Sequence, residues 1–194
     1  MITEKPGLLD EVRNRFAHVD ECPFTGPRVF FENAGGALTL KSAVDTSAKF
    51  AAIPDNQGRD NPASHALVDV INTAKQKMRL MFNAPGGQFF VGESGTELLF
   101  RIIRTAIVGA GQGGAVIGTT LEHPASRSAA TYWANEMACD YISVPHDNAT
   151  GTVTADDYAR LMTPDVRVAT IIHTSPVTGM GVDIAAISKA IRAV

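Results

Sequence analysis

The feature that most constrains the fold of this chain is a repeated alternation of short apolar segments with longer helical patterns. Over residues 88–194, each apolar segment is followed by a stretch whose apolar residues recur with helical spacing. The predicted strands are Gln88–Val91, Ala115–Thr119, Tyr141–Val144 and Val166–Ile172, and the predicted helices are Gly95–Val108, Ala125–Met137, Ala155–Met162 and Ile184–Val194. This alternation predicts an α/β fold in which a mostly parallel sheet carries helices on both faces.

Before residue 88, a turn-rich segment separates an amphipathic N-terminal segment from a predicted strand and two predicted helices. An amphipathic segment covers Leu8–Val19, and turn-forming residues follow from Pro23 to Pro27. Beyond them, a strand is predicted at Arg28–Glu32 and helices at Leu40–Ile53 and His65–Phe82. We therefore predict a helical and turn-rich leader over residues 1–27 and one domain over residues 28–194.

Composition excludes several classes of partner. The chain has 194 residues, of which 45% are hydrophobic and 19% are charged, as in ordinary globular domains. A net charge of −3 gives no general attraction to nucleic acid or to an anionic membrane, and no apolar run is long enough to span a bilayer. The two cysteines, Cys22 and Cys139, form neither a disulfide framework nor a CxxC motif, and the N-terminus lacks a secretion signal. We therefore expect a cytoplasmic protein without a metal site.

The segment from Gly92 to Glu97 has the features of an anion-binding site. Ser94 and Glu97 fit a capping box at the junction of a predicted strand and helix. The glycines on both sides of Ser94 allow the backbone to turn sharply and to approach a ligand closely. Free amides at the helix start, the helix dipole and the hydroxyls of Ser94 and Thr96 would together bind a phosphate. A well-capped helix start without any ligand is the alternative interpretation.

Two other motifs are matched only formally. The glycines from Gly109 to Gly114 fit the GxGxxG dinucleotide pattern, but they follow a helix and precede a strand, which is the reverse of the required order. Residues 92–96 approach the GxSxG pattern of serine hydrolases, but Thr96 replaces the last glycine and no Asp/His pair in a recognisable context follows. We therefore prefer neither a dinucleotide site nor a serine nucleophile.

Two polar segments follow predicted strands and belong at one edge of the sheet. Leu121–Ser126 carries His123, and His173–Gly179 carries Thr174 and Thr178. The carboxyl ends of parallel strands form the edge where α/β sheets bind ligands. The ring of His123 could stack on an aromatic cofactor while its nitrogens handle protons. A solvated histidine at a helix start is the alternative for His123 alone.

Taken in order and spacing, these segments resemble the class V aminotransferase and cysteine desulfurase family of pyridoxal-phosphate (PLP) enzymes. The segments are Phe31–Gly36, Ser94–Glu97, Glu122–Ser126 and Thr174–Gly179, with Gly58–His65 similar to a polar loop before a long helix in that family. The resemblance runs from about residue 28 to Val194. It implies the large cofactor domain of a fold type I PLP enzyme, incomplete at the C-terminus, with PLP as the cofactor.

The resemblance also implies roles for individual residues. Ser94, Gly95 and Thr96 match the residues that bind the cofactor phosphate, and His123 matches the catalytic histidine that stacks on the pyridine ring. A segment near the substrate is matched by Asn33, Ala34 and Gly35. Pro176 stands where desulfurases carry an asparagine close to the phenolic oxygen of the cofactor, and proline offers no donor. We therefore expect Thr174 or Thr178 to make that contact.

The family pattern includes two residues that this chain does not provide. A later strand brings an aspartate to the pyridine nitrogen, and a later segment brings the lysine that forms a Schiff base with the cofactor. The lysines of this chain lie in the leader or on predicted helices, without that context: Lys5, Lys41, Lys49, Lys75, Lys77 and Lys189. Because PLP chemistry needs both groups, we expect this chain to be inactive by itself.

The resemblance implies an enzyme that acts on a small amino acid. Our first interpretation is desulfurase-like or lyase-like cleavage of a C–S bond by a homodimer, completed by a C-terminal polypeptide that carries the lysine. Because of Pro176, an epimerase, racemase or aminotransferase stays open as the alternative within the class. A non-catalytic remnant that binds PLP weakly or not at all is the alternative from another class. A sheet without its later strands is also expected to expose apolar faces, including Ile184, Ile187 and Ile191.

Overall fold

The computed structural model describes residues 5–54 and 58–194, which divide into two units. The first unit reaches to Phe89 and the second runs from Phe90 to Val194. The predicted boundary between residues 27 and 28 falls inside the first unit and stays a prediction.

The first unit is built from helices and one very short hairpin. Its helices are α1 (Leu8–Asn14), α2 (Lys41–Ala51) and α3 (Pro62–Met81), and the hairpin pairs β1 (Glu21–Cys22) with β2 (Gly26–Pro27) in antiparallel fashion. Helix α3 begins where the sequence contains an N-cap followed by proline at the first turn. The side chain of Asn61 accepts a hydrogen bond from the Ser64 amide at 2.9 Å, and Pro62 occupies a position that needs no amide proton.

Two predicted strands are not regular strands in the structure. Residues 28–32 and 88–91 have no strand partner among the described residues. Both segments leave large side chains in solvent, with Phe31 90% exposed and Val91 87% exposed. The prediction of strands there was wrong because apolar alternation indicates strand propensity, whereas a strand also requires a neighbouring strand to complete its backbone hydrogen bonds.

The second unit confirms the predicted α/β fold. Its sheet consists of β3 (Ala115–Thr119), β4 (Asp140–Val144) and β5 (Val166–Ala169), in the order β4-β3-β5 with both pairs parallel. The helices are α4 (Gly95–Ala110), α5 (Pro124–Glu136), α6 (Ala155–Ala159) and α7 (Ile184–Ile191). The central strand β3 is buried along its whole length, as expected for a parallel strand covered on both faces.

Alternate residues of β3 pack into two separate hydrophobic cores. Val116 packs with Ile103 and Ile107 of α4 and with the alanines of α5 on one face. Ile117 packs on the other face, in a core that includes Tyr158 of α6 and Ile187 of α7. Because side chains alternate across a strand, α4 and α5 cover one face of the sheet while α6 and α7 cover the other. Ile187 is fully buried, so the expectation of an exposed apolar face on α7 was wrong for this residue, whereas Ile184 and Ile191 are half-buried.

Among the helices that the structure describes, none is long and apolar enough to cross a membrane.

Candidate cofactor site

The start of helix α4 has the serine half of the predicted capping box, whereas Glu97 reaches back to Glu93 and not to the N-cap Ser94. The Ser94 hydroxyl accepts a hydrogen bond from the Glu97 amide at 3.1 Å, and the Glu97 carboxylate accepts one from the Glu93 amide at 3.1 Å. The side chains of Ser94 and Thr96 are exposed. The first amides of a helix have no partner within the helix, so those of Gly95 and Thr96 point toward whatever lies before α4. This arrangement is suited to a phosphate.

Gly92 is required for the close approach of the chain to the first turn of α4. A Cβ atom at this position would lie 2.5 Å from Oε2 of Glu97 and 2.8 Å from Cδ2 of Leu98. Any side chain here would therefore push away the carboxylate that closes the capping interaction. The glycine before Ser94 thus has a steric role in holding the loop against the helix.

His123 is the N-cap of helix α5, directly after strand β3. Its Nδ1 accepts a hydrogen bond from the Ala125 amide at 3.1 Å, and its side chain is exposed. Because Nδ1 is an acceptor here, the proton of the neutral ring lies on Nε2. The structure therefore presents a histidine ring with a fixed tautomer at the carboxyl edge of the sheet.

The loops that follow β3 and β5 are joined at this edge. The buried hydroxyl of Ser175 donates a hydrogen bond to the carbonyl oxygen of Leu121 at 3.1 Å, and it accepts the amide of Val177 at 3.1 Å. Both strands are parallel, so both loops leave the sheet at its carboxyl edge. The sequence predicts this common edge, whereas the hydrogen bond between the loops has no sequence signal because its partners are 54 positions apart.

The two threonines proposed to replace the family asparagine have different surroundings. The hydroxyl of Thr178 donates to the carbonyl of Gly151 at 2.8 Å, which engages it with the loop after β4. The hydroxyl of Thr174 lies 3.0 Å from Nδ1 of His173. Both side chains and Pro176 are exposed. Each hydroxyl therefore already has a partner, a histidine nitrogen for Thr174 and a backbone carbonyl for Thr178.

A cavity of about 480 Å³ brings His123 together with the end of β5. It is lined by apolar side chains of α4, by Glu122, His123 and Ser126, and by residues 168–173. Its volume lies in the range of small-molecule sites. Leu99, which lines it, is four residues beyond Gly95, so the phosphate-binding end of α4 lies roughly 6 Å away along the helix axis.

Glu122 is a buried acid beside this cavity, and no role for it was predicted from the sequence. It is 6% exposed, and its Oε2 accepts a hydrogen bond from the Ser126 hydroxyl at 2.9 Å. Burial raises the pKa of the Glu122 carboxyl above its usual value. Burial, followed by the charge of Glu122, also raises the pKa of Tyr141. A charged residue directly after a buried strand was the available signal for such a group.

Asn33, Ala34 and Gly35 lie in the first unit, where residues 33–35 form a turn. The amide of Gly35 donates to the carbonyl of Glu32 at 3.1 Å, and all three side chains are exposed. Their assignment to the substrate remains a prediction. No group of three or more potential metal ligands of the His, Cys, Asp or Glu type occurs within residues 5–54 and 58–194.

The family model described as aminotransferase class V matches residues 29–194. The chain belongs to this family. A cysteine desulfurase-like protein of Aspergillus flavus, ustD, is 26% identical over 161 residues, which cover 79% of this chain and 36% of the relative. The chain thus spans little more than a third of the length of this relative.

Solved structures show the same fold for this class V chain. The apo cysteine desulfurase of Thermococcus onnurineus NA1 has a TM-score of 0.78 at 15% identity, and the match covers 95% of this chain and 44% of that one. A lysine-to-alanine mutant of C-DES, with glycine covalently linked to its PLP cofactor, has a TM-score of 0.75 at 19% identity over 94% and 46% of the two chains. The fold is therefore that of fold type I PLP enzymes.

PLP is the cofactor of this family, and the residues of the site fit it. The start of α4 offers amides and the hydroxyls of Ser94 and Thr96 to a phosphate, with Gly92 allowing the close approach. His123 offers an exposed ring to an aromatic system at the cavity. The donors match the two chemically distinct ends of PLP, its phosphate and its pyridine ring.

Proposed function

We propose that this chain is the amino-terminal part of a PLP-dependent enzyme that cleaves the C–S bond of a small, cysteine-like amino acid. The observation that carries the proposal is the placement of His123 at the same cavity as α4, whose first turn carries the phosphate donors. Similarity to a cysteine desulfurase-like protein supports the choice of reaction. PLP, when bound, supplies the electron sink for bond cleavage next to the amino group.

In this proposal the residues of the chain bind and orient the reactants. Ser94, Gly95 and Thr96 hold the phosphate, which fixes the cofactor in the site. His123 would hold the ring of the cofactor, and its Nε2–H would donate or exchange a proton with a substrate at the cavity. Asn33, Ala34 and Gly35 would contribute to the substrate site, and Thr174 or Thr178 would contact the phenolic oxygen of the cofactor after exchanging its present partner.

A complementary segment carrying the lysine is the second part of the proposal. Lys189 is the lysine of the second unit, and it is exposed on α7, which packs on the face of the sheet opposite to α4. In the described part of the chain, β5 pairs with β3 and leaves its other edge free. The apolar wall of the cavity next to this edge, formed by Leu99, Ile102 and Ile103, suits a further strand that would pair with β5. We propose that this strand brings the aspartate and that the lysine follows it.

We further propose a homodimer in a reducing cytoplasm. Cys22 and Cys139 are free thiols, as expected in such a compartment. Large apolar side chains such as Phe24 and Phe31 are almost fully exposed, which supports further contacts in the assembled protein.

The test is a product analysis of the chain combined with the polypeptide encoded after Val194. With PLP, L-cysteine and an added thiol reductant, which supplies the two electrons that convert the released sulfur to sulfide, we expect sulfide and alanine to accumulate together. Sulfide that accumulates with pyruvate and ammonia would report C–S cleavage by elimination, and we expect none of these products from the chain alone. Formation of the D-amino acid, or of a keto acid without sulfide, would replace C–S cleavage by epimerase or aminotransferase activity. Absence of PLP binding by the combined protein would favour the non-catalytic alternative.

A further inference from the structure

Three buried oxygen atoms in the second unit have no hydrogen-bond partner. Among the buried side-chain nitrogen and oxygen atoms of the described residues, these are Oε1 of Glu122, the hydroxyl of Tyr141 and Oγ1 of Thr170. They come from the loop after β3, from β4 and from the end of β5. Buried polar atoms are nearly always paired with protein or with ordered water, so three orphans in one unit indicate a shared, unassigned partner.

The backbone of Gly118 brings two of these atoms together. A Cβ atom on this glycine of β3 would lie 2.6 Å from Oγ1 of Thr170 and 2.7 Å from the Tyr141 hydroxyl. Both hydroxyls therefore flank the same point on the α4 and α5 face of the sheet, where position 118 has no side chain. Glu122 and Thr170 line the same cavity, and the charge of Glu122 acts on Tyr141.

We propose that Glu122 is a positioning residue for His123, and that its carboxyl group and the hydroxyls of Tyr141 and Thr170 bind one ordered water molecule beside Gly118. Three hydrogen-bonding partners are the usual number for a buried water molecule. The role assigned to His123 rests on the proposed function, whereas the water site does not.

The hydrogen bonds of Glu122 explain how it acts on its neighbour. Its Oε2 accepts from Ser126 in the first turn of α5, and His123, between the two, caps the same turn through Ala125. The second carboxyl oxygen, Oε1, is the buried atom without a partner, and in this proposal it is the one that binds the water. A carboxyl fixed at both oxygens holds the first turn of α5, and with it the orientation of the imidazole.

The surroundings of the carboxyl raise its pKa through burial, against the opposing effect of hydrogen bonds from Ser126, the Ile172 backbone and Thr119. No ion pair joins Glu122 to a basic side chain in the described ranges, and burial raises its pKa. The titratable groups around it are Tyr141 on β4, Tyr158 on α6, Arg127 on α5, and the histidines at positions 123 and 173.

The first test is a high-resolution crystal structure of the natural protein. We expect a water molecule within hydrogen-bond distance of the three oxygens, and we expect it to be lost in Gly118→Ala, whose methyl group would force both hydroxyls to move. The matched control is Gly109→Ala on α4, where a Cβ atom meets nothing within 4 Å. A dry site in the unsubstituted protein, or direct pairing among the three oxygens, would overturn the water site.

The second test measures how the stability of the protein depends on pH, which reports the ionisation of Glu122 independently of its positioning role. Because the folded pKa is raised, Glu122 stabilises the fold most below its usual pKa of 4.5, and this stability is lost as the pH rises through the folded value. Glu122→Gln should remove that loss, whereas Glu136→Gln, at the exposed end of α5, should keep it. An unchanged pH profile in Glu122→Gln would contradict a protonated carboxyl.

The imidazole resonances of His123 report the positioning role without any need for PLP. They should stay near their native values in Glu122→Gln, which preserves both hydrogen bonds, and move in Glu122→Ala. Unmoved resonances in Glu122→Ala would show that Glu122 does not position His123. If these outcomes are as expected and PLP still fails to bind, the proposed function is wrong while the positioning role stands.

Discussion

The hydroxyl of Thr96 is the most easily tested single group of the phosphate site. It lies in the exposed first turn of α4, and hydrogen bonds to charged groups are worth about 1.5–3 kcal/mol. Thr96→Val should therefore weaken PLP binding more than tenfold in a titration of the completed protein. Thr105→Val is the matched control, because Thr105 donates only to the carbonyl of Arg101 in the same helix. Equal PLP affinity in both variants would remove Thr96 from the site.

His123 has two separable roles, since its ring nitrogen caps α5 and its face is proposed to contact the cofactor. His123→Asn keeps a good N-cap and removes the ring, so it should keep the melting temperature and lose activity. His123→Ala should also lose about 1 kcal/mol of stability with the cap. Thermal melts and steady-state rates of both variants distinguish the roles. If His123→Asn retained full activity, the ring would have no part in the chemistry.

At the scale of secondary-structure elements, Gly92 controls the start of α4. Gly92→Ala would place a methyl group against Glu97 and Leu98 and break the hydrogen bond between Glu97 and the Glu93 amide. We expect it to destabilise the protein by about 1 kcal/mol, in line with the loss of a helix cap. Gly109→Ala in the same helix should instead stabilise by roughly 0.5–1 kcal/mol. The free energy of unfolding of each variant is measured by denaturant titration. If the two substitutions changed it in the same direction, the steric role of Gly92 would be contradicted.

The capping box of α6 should make stability depend on pH at the acid end. The Thr154 hydroxyl and amide hydrogen-bond to Asp157 at 2.7 and 2.8 Å, and the hydroxyl is the largest cause that lowers the pKa of Asp157. A depressed pKa contributes stability above the usual value of 3.8, and this is lost as the pH falls through the folded value. In Asp157→Asn, the free energy of unfolding should therefore depend less on pH in this acid range.

Thr154→Ala should cost about 1 kcal/mol at neutral pH. Thr131→Ala is its control, because Thr131 lies inside α5 and donates to the carbonyl of Arg127. Unfolding free energies that fall equally in both variants would argue against the capping box.

Elements governed by local chemistry were predictable from the sequence. The bounds of β3 and the first residue of α4 agree with the prediction because an apolar run between turn residues and a capping box are signals within a few positions. The helix starts at Pro62 and Pro124 were predicted three residues and one residue late, since proline at the first turn of a helix was not taken as its beginning.

Contacts between distant positions were not predictable in the same way. The hydrogen bond from Ser175 to Leu121 and the grouping of Glu122, Tyr141 and Thr170 depend on which strands become neighbours. The strand predictions for residues 28–32 and 88–91 were wrong for the same reason, because pairing partners decide whether an apolar stretch becomes a strand. One sequence indicates the propensity of a segment but not the identity of its neighbour.

At the scale of the whole molecule, the exposed apolar surface predicts dependence on further polypeptide. Phe31, Phe90 and Val91 are each at least four-fifths exposed, and β5 has a free edge in the described part of the chain. Such surface favours aggregation. Residues 1–194 expressed alone should therefore be poorly soluble, and co-expression with the residues encoded after Val194 should restore a stable complex. A soluble monomer that melts cooperatively without them would contradict this expectation.

The measurement that tests the central claim most directly is the visible absorption spectrum of the completed protein during titration with PLP. The account predicts a saturable change in the cofactor band that weakens in Thr96→Val and changes shape in His123→Asn, while Thr105→Val behaves like the unsubstituted protein. If the spectral change saturated in the same way in Thr96→Val and His123→Asn as in the unsubstituted protein, the cofactor would bind elsewhere. No saturable change at all would contradict the assignment of this chain to a working PLP site.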